Sequence, residues 1–270
     1  MTVLHAAVLG VVQGLTEFLP VSSSGHLILV PEVLGWDVQS ASFDAVLHIA
    51  TLLAVLVAFR EEVGRLVHAV IHDPRGRDSK TAKWSHLAWT IVAAMIPAIG
   101  AGILFKDTIE TTLRSPMVVV VSLIFWAIVL FAFDRQVKPN AEQDVTRVDT
   151  QRGLFIGLAQ AIALIPGTSR SGITITAGLA TGLSRAAAAR FSFLLGIPAV
   201  TGAGALAVHD LATSPDPIVW TPLIVGFFAS LFAGIIAIRF LLKMLKTASY
   251  RPFVYYRIAL ALVILVVFVV

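Results

Sequence analysis

Long apolar stretches separated by polar loops dominate the hydropathy pattern of this chain. Six of these stretches are long enough to cross about 30 Å of hydrocarbon as α-helix. Two further apolar regions, residues 3–31 and 153–183, are interrupted by Gly/Ser-rich turns, and the arm after each turn is too short to span comfortably. The pattern predicts six transmembrane helices, at residues 42–60, 86–106, 115–133, 187–208, 218–241 and 252–270.

Composition supports a membrane location. Apolar residues make up 57% of the 270-residue chain and charged residues 13%, and the mean hydropathy is +0.89, outside the range of ordinary soluble domains. The absence of cysteine excludes disulfides, a thiol nucleophile and a cysteine-based metal site. The net charge is +4, and the basic residues lie in loops between apolar runs, as membrane topology requires. The positive charge is therefore no indication of a nucleic-acid partner. We expect an all-α polytopic membrane protein with one membrane domain over residues 1–270.

The distribution of Lys and Arg predicts the orientation of the chain. Residues 60–83 carry six Lys/Arg, residues 134–152 four and residues 239–257 five, whereas residues 31–41 and 209–219 carry none. By the positive-inside bias, the first three segments are cytoplasmic and the last two external.

These assignments make the two interrupted regions re-entrant hairpins. The segment 153–183 must begin and end on the cytoplasmic side, with Arg170 near its tip. The segment 3–31 must end outside, and if it returns to its own side, the N- and C-termini are both external. Irregular backbone at such tips is tolerated only inside protein or at a water-filled cavity.

An internal repeat relates the two hairpins. Shifting the sequence by 147 residues aligns identical Gly, Gln and Ser residues of the two hairpins. Because the copies enter from opposite faces, the halves at about 1–150 and 151–270 would form an inverted-topology repeat whose tips meet near the midplane. Chance similarity of two short Gly/Ser turns is the competing explanation. The pairs are Gly10 with Gly157, Gln13 with Gln160, Ser22 with Ser169, Ser24 with Ser171 and Gly25 with Gly172.

The turn of the second hairpin places an arginine at membrane depth, where a charge is costly unless it faces a partner, a ligand or water. A helix predicted from Gly172 to Leu183 would direct N–H groups and turn hydroxyls toward an anion, and Arg170 adds a planar fork suited to phosphate oxygens. We expect an intramembrane phosphate site; the alternative is a tight turn whose arginine only reaches the membrane surface. The expected phosphate-binding residues of this turn are Gly167, Thr168, Ser169, Ser171 and Thr174.

The first hairpin offers a carboxylate. Gln13 and Glu17 are four residues apart and share one helix face, and Glu17 is the sole acid in residues 1–31. Hydroxyls and an imidazole follow it. A carboxylate, hydroxyls and an imidazole that face an arginine satisfy the needs of phosphoryl transfer. Alternatively, the serines only cap a helix and the histidine is interfacial. These residues are Ser22, Ser23, Ser24 and His26.

Two motifs, Gln13-Gly-Leu-Thr-Glu-Phe-Leu-Pro-Val-Ser-Ser-Ser-Gly-His26 and Pro166-Gly-Thr-Ser-Arg-Ser-Gly-Ile-Thr174, stand at these turns. They closely resemble the signature motifs of the BacA/UppP family of undecaprenyl-diphosphate phosphatases, and the resemblance extends over the whole chain. It implies a bacterial inner-membrane enzyme that hydrolyses the lipid carrier diphosphate to the monophosphate, recycles it for peptidoglycan synthesis and confers bacitracin resistance. It also implies a divalent cation, Mg²⁺ or Ca²⁺, a site open toward the periplasm, and a homodimer.

Carried over by position, the resemblance assigns roles to the motif residues. Glu17 and Gln13 would bind the metal, although Gln13 stands where many relatives have Glu and cannot act as a base. Glu17 or His26 would then act as the general base. Ser23, or a water molecule in its place, would attack phosphorus. The second motif contributes Ser169, Arg170 and Thr174 to substrate binding.

Transport is the competing class, because inverted repeats with broken helices typify secondary transporters. The same site would then bind a lipid phosphate and flip it between leaflets. A channel is less well supported, since one Arg and one Glu do not form a charged ring.

Overall fold

The computed structural model describes residues 1–105, 107–108, 113, 115–213 and 219–268, without the side chains of residues 203 and 206–213. Eleven α-helices occur within these ranges. They are α1 Val3–Phe18, α2 Ser23–Leu34, α3 Ala41–Ala58, α4 Arg60–His72, α5 Ala82–Leu104, α6 Pro116–Arg135, α7 Thr150–Ile162, α8 Arg170–Ala180, α9 Arg185–Thr213, α10 Trp220–Met244 and α11 Arg251–Phe268.

Five of these helices, α3, α5, α6, α10 and α11, are long and apolar enough to cross a membrane. With the helical architecture they confirm an all-α polytopic membrane protein. Helix α9 covers the remaining predicted span, residues 187–208, but it is not among the five, so a sixth crossing stays a prediction. Residues 106 and 269–270, which end two predicted spans, and residues 214–218 of a predicted loop lie outside the described ranges.

Three predicted boundaries were wrong. The polar loop expected at residues 60–83 contains helix α4, an amphipathic helix whose many charged residues give it the overall polarity of a loop. Helix α2 continues past residue 31 until Gly35, at φ 64°, ends it as a left-handed C-cap. Helix α8 begins at Arg170 because the Ser169 hydroxyl already caps it by accepting from the Gly172 N–H at 3.1 Å.

The two hairpins pack against the rest of the molecule in the same way. Helix α1 packs along α10, and α7 packs along α5. A Cβ at Gly10 would collide with the carbonyl oxygen of Gly226, and one at Gly157 with that of Ala94. Small residues allow such close helix crossings in membranes. Gly10 and Gly157 are equivalent under the 147-residue shift.

The breaks between α1 and α2 and between α7 and α8 also have one conformation in common. Ser22 has φ 73° and Ser169 has φ 71°, and they are the only non-glycine residues with positive φ in the described ranges. Each precedes the second arm of its hairpin, and each hydroxyl lies 3.3 Å from that of the serine two residues later. A non-glycine residue in this region costs about 1–3 kcal/mol. The same strained turn is thus built twice.

An aromatic cluster fixes the end of α1 beside the second turn. Phe18 meets Phe193 of α9 edge to face, with ring centroids 5.4 Å apart, and Phe59 packs on Phe193 at 6.0 Å. All three rings are almost fully buried in the largest apolar core. The residue preceding Phe18 is therefore held in a fixed position.

Candidate functional site

Glu17 lies at the centre of a polar cluster where the hairpins meet. Its side chain is 7% exposed, and both carboxylate oxygens accept hydrogen bonds. Oε2 accepts from Gln13 Nε2 at 3.1 Å and from Ser23 Oγ at 2.9 Å. Oε1 accepts from Arg170 Nη2 at 3.0 Å. The carboxylate therefore joins the two hairpins, and the guanidinium balances its buried charge.

Arg170, the first residue of α8, reaches this cluster across a narrow cleft. Its Nη1 donates to the carbonyl oxygen of Ser192 at 3.1 Å, which leaves part of the five-donor fork without a partner among the described residues. A Cβ at Gly196 would collide with the guanidinium, so α9 carries a glycine where the side chain passes. Thr51 and Val55 of α3 line the same cleft.

His48 is a member of this cluster that the sequence did not identify. Its Nε2 lies 3.8 Å from Glu17 Oε2, and its Nδ1 lies 2.7 Å from the carbonyl oxygen of Asp44. Because a carbonyl only accepts, Nδ1 carries a hydrogen and Nε2 is the nitrogen that faces the carboxylate. The side chain is 34% exposed and forms part of the open side of the cluster.

His26 lies apart from this cluster, and no contact joins it to Glu17 or Arg170 among the described residues. Its Nδ1 donates to the Ser22 carbonyl oxygen at 2.7 Å, and its Nε2 lies 2.6 Å from the hydroxyl of Tyr256. The two rings also stack, with centroids 5.5 Å apart. Both ring nitrogens are thus engaged with other groups.

The second turn presents free donors beside Arg170. The backbone N–H groups of Ser169, Arg170 and Ser171 make no hydrogen bond with any residue the structure describes. The Ser171 hydroxyl donates to the Leu19 carbonyl oxygen at 3.2 Å, which ties this turn to the break of the first hairpin. Free N–H groups at a helix N-terminus favour an anion.

The other predicted phosphate-binding residues lie in this turn or directly after it. Thr174 donates to the Arg170 carbonyl oxygen and contacts the Ser192 hydroxyl, both at 2.7 Å. Gly167 has φ 85°, and Thr168 is fully buried. The carbonyl oxygens of both accept from a guanidinium on α11, described below.

The donor set fits a divalent cation only in part. The described residues contain no group of three or more His, Asp or Glu side chains suited to a metal, and the oxygens of Glu17 already accept from protein donors. However, Gln13 Oε1 is a buried acceptor that has no hydrogen-bond partner in the described ranges. Since Mg²⁺ is often held by one or two protein oxygens plus substrate phosphates, Glu17 and Gln13 fit a cation that takes its other ligands from a diphosphate and water.

Comparison with known proteins identifies the family of this chain. The family model described as "Bacitracin resistance protein BacA" matches residues 6–263. A protein of Alteromonas mediterranea named undecaprenyl-diphosphatase is 42% identical over 98% of both chains. One of Stutzerimonas stutzeri named undecaprenyl-diphosphatase 2 is 44% identical over 99% of both chains. Because the family match and these relatives cover almost the whole sequence, the chain belongs to the BacA family.

Proposed function

We propose that this chain hydrolyses undecaprenyl diphosphate to undecaprenyl phosphate and inorganic phosphate. The observation that carries the proposal is that one buried carboxylate, Glu17, accepts from the Ser23 hydroxyl and the Arg170 guanidinium at once. A proton acceptor, a hydroxyl and a cation are thus assembled within hydrogen-bond distance. The names of the relatives support the same substrate. The reaction recycles the lipid carrier for peptidoglycan synthesis, and the family description supports bacitracin resistance as its consequence.

Arg170 and the second turn bind the diphosphate in this proposal. The free N–H groups of Ser169, Arg170 and Ser171 point from the N-terminus of α8, and the unused donors of the guanidinium lie beside them. The terminal phosphate then lies between this turn and Glu17. Preorganised donors of this kind stabilise charge that develops on phosphoryl oxygens.

Ser23 attacks the terminal phosphorus, and Glu17 takes its proton through the 2.9 Å hydrogen bond. The bond from Ser23 Oγ to phosphorus forms as the bond to the bridging oxygen breaks, and the polyprenyl monophosphate leaves with that oxygen. Water then cleaves the phosphoserine and releases phosphate. Glu17 is the preferred base because both ring nitrogens of His26 are engaged elsewhere. Direct attack by water is the alternative.

A divalent cation, Mg²⁺ or Ca²⁺, belongs to the proposal. Glu17 and the free Oε1 of Gln13 would hold it. When bound, it neutralises charge on the diphosphate oxygens. Gln13 also fixes the carboxylate through its amide N–H at 3.1 Å, independently of any ion.

The proposed membrane arrangement has six crossings and two re-entrant hairpins in an inverted repeat. The strained turns at Ser22 and Ser169 support the repeat. Segments assigned to the cytoplasm meet each other: Arg185 Nε lies 2.6 Å from Asp134 Oδ1, and Tyr250 donates to the Arg185 carbonyl oxygen at 3.0 Å. We place the protein in the bacterial inner membrane, with both termini external and the site open to the periplasm, in contact with membrane lipids and as a homodimer.

The test is phosphate release from farnesyl diphosphate by the purified protein in detergent, with and without EDTA. We expect release that EDTA abolishes and that added Mg²⁺ or Ca²⁺ restores. Full activity in EDTA would remove the cation from the proposal. If correctly folded protein releases no phosphate but moves a lipid phosphate across the membrane of proteoliposomes, a flippase is favoured instead. Hydrolysis needs no membrane, whereas flipping does.

A further inference from the structure

Two consecutive residues of α11 contact the two hairpin tips, and neither contacts Glu17. The Tyr256 hydroxyl lies 2.6 Å from His26 Nε2 at the start of α2. Arg257 Nη2 donates to the carbonyl oxygens of Gly167 at 3.1 Å and Thr168 at 3.0 Å, in the turn before α8. One helix is thus bonded to both tips.

The burial of Arg257 sets it apart from an ordinary structural arginine. Its side chain is fully buried, and no carboxylate pairs with it within the described part of the chain. Its Nε donates to the Leu123 carbonyl oxygen at 3.2 Å, while its Nη1 has no partner among the residues that the structure describes. Carbonyl dipoles alone therefore compensate the charge. A buried charge without a counter-ion is costly and typically marks a functional position.

The hydrogen bonds of Arg257 fix the orientation of the peptide group between Thr168 and Ser169. In a planar trans peptide, the C=O and N–H bonds point in opposite directions. Because the Thr168 carbonyl is directed at Arg257, the Ser169 N–H of the same peptide points away from it. That N–H is one of the free donors proposed to bind phosphate. Rotating this peptide would turn an oxygen toward the anion in place of a donor.

The sequence of the turn leaves room for this arrangement. A Cβ added at Gly172 would lie 2.8 Å from Arg257 Nη1, so the glycine lets the guanidinium reach the first turn of α8. A Cβ at Gly167 would lie 2.6 Å from the Val119 carbonyl oxygen. The turn is therefore pressed between α6 and α11, with Arg257 bonded to two of its carbonyl oxygens.

We propose that Arg257 and Tyr256 are positioning residues that hold the two hairpin tips at one separation, so that Ser23 and Glu17 face the N-terminus of α8. Arg257 sets the orientation of the second turn, and Tyr256 holds the first hairpin through His26. The kinetic consequence rests on the proposed function, whereas the conformational consequence does not.

The experiment compares Arg257→Lys and Tyr256→Phe with Arg185→Lys. Arg185 is the matched control because it also donates to a backbone carbonyl oxygen, but to that of Asp134 on α6, at 2.7 Å, and not to one of a hairpin tip. Two readouts are taken on purified protein: amide hydrogen exchange of peptides covering residues 19–27 and 163–173 without substrate, and kcat and KM for farnesyl diphosphate. Thermal melts identify the folded variants.

We expect Arg257→Lys to speed exchange in residues 163–173 and to lower kcat/KM at least about tenfold, because small misplacements of binding groups have effects of this size or larger. Tyr256→Phe should speed exchange in residues 19–27 and lower kcat. Arg185→Lys should lower the melting temperature and leave kcat/KM per folded molecule unchanged. In the double variant, the effects of Tyr256→Phe and Arg257→Lys should not be additive.

Unchanged exchange and kinetics in folded Arg257→Lys would overturn the proposal, as would additive effects in the double variant. If Arg257→Lys does not fold, unchanged exchange in residues 19–27 of Tyr256→Phe would overturn it. If the parent releases no phosphate, the proposed function fails, and the exchange data still decide whether α11 holds the tips.

Discussion

Glu17 and Arg170 form a buried ion pair between the two hairpins, with Arg170 Nη2 3.0 Å from Glu17 Oε1. Each charge is the main partner of the other, and truncating one side leaves the other uncompensated. The guanidinium also bonds to the Ser192 carbonyl oxygen through its other terminal nitrogen. Two bonds in two directions orient the fork before any substrate arrives.

Arg170→Lys should reduce kcat/KM for a prenyl diphosphate about 10²-fold or more. Lysine keeps the charge, but its single nitrogen cannot bond to Glu17 and Ser192 and also present a planar pair of donors to phosphate. Steady-state hydrolysis of farnesyl diphosphate, with thermal melts alongside, measures this. A well-folded Arg170→Lys enzyme with near-parent kinetics would exclude the bidentate clamp and leave a general electrostatic role.

Glu17→Gln should reduce kcat at least about 10²-fold, because the amide is nearly isosteric but cannot accept a proton from Ser23. The control is Glu62→Gln, which removes a carboxylate whose Oε1 lies 2.7 Å from Arg190 Nη1, away from the site. Its kinetics should match those of the parent. Equal activity of the two variants in the phosphate-release assay would reassign Glu17 to a packing role.

Ser23→Ala should also reduce turnover about 10²-fold or more, since its hydroxyl is the one bonded to Glu17. Ser24→Ala is the matched control, because the exposed Ser24 hydroxyl bonds only to that of Ser22 among the residues that the structure describes. Rapid-quench experiments with labelled diphosphate should trap phosphate on the parent and not on Ser23→Ala. Turnover by Ser23→Ala close to that of Ser24→Ala would indicate direct attack by water.

The local parts of the architecture could be predicted from the sequence. Four-residue spacing placed Gln13 and Glu17 on one face, and the structure joins them at 3.1 Å. The 147-residue shift paired Ser22 with Ser169, which have almost the same positive φ. These features depend on spacing and turn chemistry, which a sequence carries directly.

Contacts made by distant helices could not be predicted. Arg257 was counted among the basic residues of a cytoplasmic segment although it also falls in the predicted span 252–270, and its complete burial on α11 was not predicted. His48 lies on α3 and Gly196 on α9, and neither has a local sequence signal of its role. A histidine or a glycine in an apolar helix has many uses, and only the packing of α3 and α9 against the hairpins selects these two.

The proposed orientation predicts accessibility from outside the cell. The absence of cysteine allows single cysteines at Asp37, Asp216 and Arg77 without background. Asp37 and Arg77 are exposed, while Asp216 lies outside the described residues. An impermeant maleimide added to intact cells should label the first two positions and not Arg77, because only they lie in loops without Lys/Arg. Labelling at position 77 would invert the topology.

Gly196→Ala should impair catalysis through Arg170 without unfolding the protein. The added Cβ would collide with the guanidinium, the mobile end of a long side chain, so Arg170 must move away from Glu17 while the backbone stays in place. Gly202→Ala is the matched control in the same helix, because no atom of the described part of the chain lies within 4 Å of its added Cβ. Both changes raise helix propensity by about 1 kcal/mol, so any difference between them comes from the collision.

We expect Gly196→Ala to lower kcat/KM for farnesyl diphosphate at least about tenfold, with a melting temperature near that of the parent, and Gly202→Ala to retain parent kinetics. Combining Gly196→Ala with Arg170→Lys should add little to the loss caused by Arg170→Lys alone, since both act on the same guanidinium. A fully additive loss would mean that Gly196 acts through some other group than Arg170.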